Sequence, residues 1–203
     1  DASANIDLAA RRIVWGKFMN AGQTCIAVDY VVVQESVKDA LLAAMTKEIG
    51  KRYPHAEKSD AYPSIINQRH YDRLIGLMKT ESSLIGGAVN AEKRRIAPTL
   101  MPEADFDHPI MEDEIFGPLL PIIAVKDMQN AVAHIKTLPN PLACYVFTEN
   151  KAVAEAVIAN LSFGANYPVL LNQAKFGVLS GTILSGLLGY IVLRIVLPVR
   201  KRK

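Results

Sequence analysis

Cysteine is scarce in this chain of 203 residues, which contains only Cys25 and Cys144. The two lie too far apart to form a disulfide framework, so a reducing compartment is favoured. The four histidines show no metal-ligand spacing such as His-x3-His, and no second cysteine lies near Cys25. We therefore predict no metal site, and we expect the histidines to be surface or structural residues.

Acidic residues are missing from the last part of the chain. From residue 165 onward there are six basic residues and no acidic one, which leaves 17 basic and 20 acidic residues before that point. The overall net charge of +3 thus hides a mildly acidic domain followed by a basic tail. Nothing in this pattern indicates nucleic acid as a partner. The chain also lacks an initial basic segment followed by an apolar run, so we expect no signal peptide.

Two hydrophobic periodicities alternate over residues 1–163, a length that can bury a real core. Helical spacing predicts helices over residues 6–20, 36–49, 67–79, 128–135 and 151–160. Short apolar or β-branched runs predict strands over residues 29–34, 83–87, 96–100, 119–125 and 142–147. Gly50 is expected to end the second helix, and Cys144 to be a core residue of the last strand. This alternation indicates an α/β fold with a largely parallel sheet and flanking helices.

Cys25 differs from Cys144 because it lies in a polar segment. Residues 18–25 read Phe-Met-Asn-Ala-Gly-Gln-Thr-Cys and follow the first predicted helix. A thiol used only for packing is more common inside an apolar run. A thiol in a polar loop is a candidate nucleophile, and Gly22 would let the backbone approach a substrate closely. The residues alone leave a buried structural thiol as the alternative.

Several motifs together resemble the aldehyde dehydrogenase superfamily. They are the segment at 18–25, the Glu-Ile-Phe-Gly-Pro segment at 114–118 and, less distinctively, Pro-Leu-Ala-Cys-Tyr-Val-Phe at 141–147. The resemblance covers about residues 1–163 and is nearest to the short, bacterial, class-3-like members. It implies that Cys25 is the catalytic nucleophile. It also implies that Glu114 hydrogen-bonds the ribose next to nicotinamide and that Phe116 packs by the ring, with NAD or NADP as cofactor.

Without that resemblance, the acidic run at residues 112–114 would indicate a solvated turn. With it, the implied reaction is the oxidation of an aldehyde substrate to a carboxylate. The Cys25 thiolate attacks the aldehyde, the thiohemiacetal passes a hydride to NAD(P), and water hydrolyses the thioester. The family's general base and dinucleotide-binding domain correspond to segments that would precede Asp1. We therefore expect family membership without turnover by this chain alone, and a complementing N-terminal cofactor domain or a homo-oligomer is the candidate partner.

Residues 164–203 do not continue this resemblance. Residues 176–193 carry no charge and, with the run at 195–199, predict a transmembrane helix over about residues 176–198. Small residues recur at every fourth position, as in closely packed membrane helices: Gly177, Gly181, Ser185 and Gly189. The basic C-terminus predicts a membrane-attached protein whose domain faces the cytoplasm, or a cytoplasmic one if the tail is an artefact.

The tail also resembles, over residues 171–190, the last transmembrane helix of the NhaA-type sodium/proton antiporters. A generic tail anchor is the alternative. The paired acidic residues that bind the transported ion in that family are missing, so no transport chemistry is implied. Three readings stay open: an aldehyde dehydrogenase catalytic-domain fragment, a membrane-attached and catalytically inactive binding module, and an antiporter remnant.

Overall fold

The computed structural model describes residues 1–138 and 141–162. The chain divides into two compact units, Asp1–Ala154 and Glu155–Lys203. Across the described ranges, no helix has both the length and the apolar character needed to cross a bilayer. The transmembrane helix predicted over about residues 176–198 and the antiporter-like segment lie outside the described residues.

The helices have clear local causes. In chain order they are α1 (Ile6–Phe18), α2 (Glu35–Arg52), α3 (Gln68–Met78), α4 (Met128–Ile135) and α5 (Lys151–Ser162). Asn5, Asn67 and Asp127 begin α1, α3 and α4, and each side chain accepts a hydrogen bond from a backbone N–H of the first turn.

The prediction that Gly50 ends the second helix is wrong, because α2 continues to Arg52. Lys51 and Arg52 favour this longer helix, since cations at a helix C-terminus complement its dipole. The Arg52 side chain also forms an ion pair with Glu48 one turn earlier.

The strands of the described residues form a parallel sheet and a short hairpin. They are β1 (Val31–Gln34), β2 (Val89–Asn90), β3 (Arg95–Ile96), β4 (Thr99–Met101) and β5 (Leu119–Val125). The parallel sheet has the order β1-β5-β4, and β2 pairs with β3 in antiparallel fashion. The predicted α/β fold with a parallel sheet and flanking helices is confirmed. The run predicted as one strand over residues 96–100 is divided between β3 and β4 by Pro98, which has no N–H to donate to a ladder.

Two of the predicted strands are absent from the described structure. Residues 83–87 contribute only an isolated bridge between Ile85 and Leu100. Residues 142–147 form no strand, and Cys144 is exposed instead of lying in the core. The physical reason is pairing: an apolar run becomes a core strand only beside another strand, and no described strand pairs with this one. Its Leu142 side chain is accordingly 74% exposed.

Strand β5 joins two hydrophobic clusters that lie on opposite faces of the sheet. Leu119 belongs to one cluster with Leu74 of α3, and the next residue, Leu120, belongs to the other. Helices α1 and α2 supply much of that second cluster, through buried side chains such as Phe18 and Met45. Because successive side chains of a strand point to opposite faces, β5 is covered on both sides. The Glu-Ile-Phe-Gly-Pro motif leads directly into this central strand.

Candidate active site

The segment that carries Cys25 begins with a left-handed turn directly after α1. Asn20 and Ala21 both have φ of 53°, and Gly22 has φ of 71°. A residue with a Cβ atom in this conformation costs roughly 1–2 kcal/mol, so Asn20 and Ala21 must be held there by other contacts. The turn is followed by Cys25, whose side chain is exposed. The prediction that the chain presents this thiol, instead of burying it, agrees with the structure.

Gln23 supplies contacts that hold the turn. Its side-chain Nε2 donates to the carbonyl of Ser64 at 3.1 Å, and its Oε1 accepts from the N–H of Ile66 at 2.9 Å. Within the turn, Asn20 Nδ2 donates to the Gln23 carbonyl at 3.0 Å. Both ends of one amide thus bind the backbone of a distant segment, because an amide side chain offers a donor and an acceptor at once. Sequence reasoning treated Gln23 as part of a motif and missed this role.

The two motifs contact each other through their glycines. A Cβ atom at Gly22 would lie 2.2 Å from the carbonyl oxygen of Gly117 and 2.7 Å from its carbonyl carbon. A Cβ at Gly117 would in turn lie 2.5 Å from Cδ2 of the buried Leu74. At Gly22 the obstacle is backbone, which leaves no room for a side chain, whereas a side chain at Gly117 would require the buried Leu74 to shift. The fold therefore brings the Cys25 turn and the Glu-Ile-Phe-Gly-Pro loop together, backbone against backbone.

Ile115 anchors the second loop. Its side chain is fully buried, and its N–H donates to Asp29 Oδ1 at 3.0 Å. Its carbonyl accepts a hydrogen bond from the Arg73 guanidinium. On either side of this anchor, the Glu114 carboxylate is exposed and the Phe116 side chain is 38% exposed, with φ of 46° at Phe116. Asp29 and Arg73 were not singled out from the sequence, because their role depends on contacts between distant segments.

A buried lysine lies behind both loops. Lys17, in the last turn of α1, has no exposed surface, and its Nζ has no hydrogen-bond partner within the described residues. Burial lowers the pKa of Lys17 to about 8, while the negative charges of Asp29 and Glu114 act in the opposite direction. A sequence signal for its burial existed, since Lys17 follows Ala10 and Val14 at helical spacing on the core face of α1.

The two thiols differ in their surroundings although both cysteines are exposed. Partial burial of the thiol raises the pKa of Cys144, which leaves less thiolate at a given pH. Over residues 1–138 and 141–162, no group of three or more His, Cys, Asp or Glu side chains is placed to hold a metal ion. A cavity of about 400 Å³ is lined by Arg11, Arg12, Trp15 and Arg52, none of which belongs to either motif.

The geometry thus defines an α/β protein with an exposed candidate nucleophile beside a loop that offers a carboxylate and an aromatic ring. The sequence matches the model of the aldehyde dehydrogenase family over residues 1–182. This chain belongs to the aldehyde dehydrogenase family. The individual roles predicted for Cys25, Glu114 and Phe116 stay predictions.

The relatives include class-3 members. The chain is 41% identical over 165 residues to the bovine dimeric NADP-preferring aldehyde dehydrogenase, covering 81% of this chain and 69% of that protein. It is 43% identical over 167 residues to the 4,4'-diaponeurosporen-aldehyde dehydrogenase of Staphylococcus aureus, covering 81% of this chain but 36% of that protein. This chain therefore spans about a third of the length of several relatives it matches.

Solved structures agree with these sequence relatives. The substrate-bound state of Staphylococcus aureus AldH matches with a TM-score of 0.77 at 42% identity, covering 81% of this chain and 36% of that one. The NADP complex of an NADP-dependent glyceraldehyde-3-phosphate dehydrogenase from Bacillus halodurans matches with a TM-score of 0.72 at 27% identity, with the same two coverages. The predicted family and fold are confirmed, and the relatives are NADP-preferring or NAD-dependent enzymes, in agreement with the predicted cofactor, NAD or NADP.

The antiporter resemblance finds no support in these comparisons. The family match runs to residue 182 and so includes residues 164–182, which the sequence reading had assigned to the tail. Small and apolar residues at helical spacing suit a buried protein segment as well as a membrane helix, so their pattern alone does not identify an antiporter segment. Membrane attachment through residues 176–198 stays a prediction.

Proposed function

We propose that this chain is the part of an NAD(P)-dependent aldehyde dehydrogenase that carries the cysteine nucleophile and one contact to the cofactor. The observation that carries this proposal is the backbone contact between Gly22 and Gly117. It holds the turn before Cys25 against the loop that bears Glu114 and Phe116. Membership of the family supports aldehyde oxidation as the reaction. Its relatives include an NADP-preferring and an NAD-dependent aldehyde dehydrogenase, which supports NAD(P) as the cofactor.

The residues of the second loop fit a dinucleotide. The Glu114 carboxylate is exposed and has two acceptor oxygens, which suits the paired hydroxyls of a ribose. Phe116 presents an aromatic ring at the surface, although an aromatic side chain buries large apolar area when a partner is available. Its φ of 46° is a conformation that such a residue adopts only where its neighbours hold it. NAD(P), when bound, supplies the hydride acceptor.

The chemistry of this chain's own residues then centres on Cys25. Its thiolate forms a carbon–sulfur bond to the aldehyde carbon, and the carbonyl oxygen takes up the negative charge. The backbone N–H of Cys25 is one donor for that oxyanion. After oxidation, Cys25 holds the acyl group as a thioester until water hydrolyses it to the carboxylate and returns the thiol. We assign the general base to no residue of this chain, so turnover requires a complementing part of the protein.

Selective alkylation tests the proposal. Limiting iodoacetamide is applied at pH 7.5, and the modified peptides are quantified by mass spectrometry. Cys25 should react several-fold faster than Cys144, because burial raises the pKa of the Cys144 thiol. Adding NAD(P) together with a separately produced cofactor domain should change the rate at Cys25 only, so that Cys144 serves as the internal control. Equal rates at both thiols, unaffected by cofactor, would contradict the catalytic role of Cys25.

A further inference from the structure

Lys17 is a charged residue in a place where packing alone favours an apolar one. Its side chain is fully buried at the end of α1, and none of the described residues accepts a hydrogen bond from its Nζ. Taking an ammonium group out of water is costly unless nearby groups compensate it. An apolar side chain of similar length would fill the same space without that cost.

Two carboxylates from different elements act on the Lys17 ammonium. The stronger influence comes from Asp29, in the segment before β1, and the weaker from Glu114, in the loop before β5. Glu114 is exposed, so water screens its share, whereas Asp29 is partly buried. With its pKa lowered to about 8, Lys17 is still mainly protonated at neutral pH. A positive charge thus lies behind the two loops of the candidate site.

Asp29 connects this charge to the main chain of the second loop. Its Oδ1 accepts the N–H of Ile115 at 3.0 Å, across 86 residues of sequence. Hydrogen bonds to an ionised acceptor are stronger than those between neutral groups. Without the Lys17 cation, the Asp29 carboxylate loses a favourable electrostatic influence and gains by turning towards water. That change weakens its bond to Ile115.

We propose that Lys17 is a positioning residue for the candidate active site. Its buried ammonium attracts the Asp29 carboxylate through space, without a direct hydrogen bond, and the Asp29–Ile115 hydrogen bond in turn holds the Glu-Ile-Phe-Gly-Pro loop against the turn that presents Cys25. Lys17 itself touches no reacting atom. The inference deepens the proposed function and rests on it in one respect, namely that Glu114 and Phe116 of this loop contact the cofactor.

Hydrogen exchange at the Ile115 amide tests the proposal on the full chain without cofactor or aldehyde. Lys17→Met should speed this exchange by about tenfold, because a charge-assisted hydrogen bond is weakened. Lys47→Met is the matched control, since Lys47 is an exposed lysine of α2, and it should leave the rate unchanged. In an Asp29→Asn background, which keeps an acceptor oxygen but removes the charge, Lys17→Met should change the rate by less than about twofold. Equal effects of Lys17→Met in both backgrounds, or no effect in either, would overturn the proposal.

A second measurement tests the coupling between Lys17 and Asp29 without changing Lys17. Selective ¹³C labelling of lysine follows the Cε signal of Lys17 as the pH is raised. The midpoint should lie near pH 8 in the parent protein. Asp29→Asn should lower it by a measurable fraction of a pH unit, because Asp29 favours the charged amine. An unchanged midpoint would show that Asp29 and Lys17 are not coupled, and the proposal would fail.

These outcomes are separable from those of the alkylation experiment. If NAD(P) leaves the Cys25 alkylation rate unchanged while Ile115 exchange depends on Lys17, the proposed function fails and the positioning role stands. If NAD(P) changes the Cys25 rate while Ile115 exchange ignores Lys17, the positioning role fails and the proposed function stands.

Discussion

Substituting Gly22 by alanine should separate the two motif loops. The new Cβ would lie 2.2 Å and 2.7 Å from backbone atoms of Gly117, and 3.2 Å from the Lys17 carbonyl. Backbone atoms cannot move aside as a flexible side chain can. Gly117 also packs closely against the buried Leu74, which restricts how far the second loop can move.

Two contributions set the loss in the free energy of unfolding that we expect for Gly22→Ala. A Cβ atom at φ of 71° costs about 1–2 kcal/mol in backbone strain. Forcing extra volume into a filled site costs roughly another 1–3 kcal/mol. We therefore expect the free energy of unfolding to fall by about 2–5 kcal/mol. Urea denaturation followed by circular dichroism measures this change, with the slope of the transition compared between variants.

Gly50→Ala is the matched control for this experiment. It also adds one methyl group to a glycine, but no atom lies within 4 Å of the new Cβ. Since Gly50 lies inside α2, alanine should stabilise the protein by about 0.5–1 kcal/mol. A Gly22→Ala protein as stable as the parent would refute the close contact between the motifs. A loss of stability in both variants would show that the effect is not specific to Gly22.

Two further predictions concern Lys17 and Gln23. Folding lowers the pKa of Lys17 from 10.5 to about 8. Between these pH values the unfolded chain therefore binds more protons than the folded one. The free energy of unfolding should accordingly rise as the pH increases from about 8 to 10.5. Below pH 8 the buried charge of Lys17 lowers the free energy of unfolding by roughly 3 kcal/mol. The Lys17→Met variant should therefore be more stable than the parent at pH 7. In urea titrations it should also lose this part of the pH dependence. Gln23→Glu removes the N–H donor to the Ser64 carbonyl and should lower the free energy of unfolding by about 1–3 kcal/mol. The control is Gln68→Glu, at an exposed helix position, which should change the free energy of unfolding by less than about 0.5 kcal/mol. Equal stabilities of the two glutamine variants would contradict the bridging role of Gln23.

Local patterns were sufficient to predict much of the fold. The helical spacing before Cys25 predicted α1, and the apolar run at 119–125 predicted β5 with the bounds that the structure shows. The run at 142–147 misled because a strand depends on its neighbours, and the neighbour that would pair with it cannot be identified from the run itself. In the same way, the burial of Cys144 was inferred from adjacent apolar residues, although burial depends on what packs against them.

The residues of the candidate site differ in the same way: those in local motifs could be predicted from the sequence, and those that depend on distant contacts could not. Cys25, Glu114 and Phe116 could be proposed because each lies in a short motif that is visible in the sequence. The contact between Asp29 and Ile115 could not, because it joins segments 86 residues apart. Lys17 was missed for a different reason: its position on the core face follows from helical spacing, but a lysine in an amphipathic helix is ordinarily assigned to solvent.

The strand order of the sheet has a consequence for the making of this protein on the ribosome. The central strand β5 is synthesised after both of its neighbours, β1 and β4. At about 5–20 residues per second, several seconds pass between the completion of β1 and the appearance of β5. Until then the Val-Val-Val segment of β1 has no parallel partner among the described strands, which makes it a natural target for a chaperone that holds nascent apolar segments. The Cys25 turn is likewise made early, and the loop that packs against it arrives only with β5.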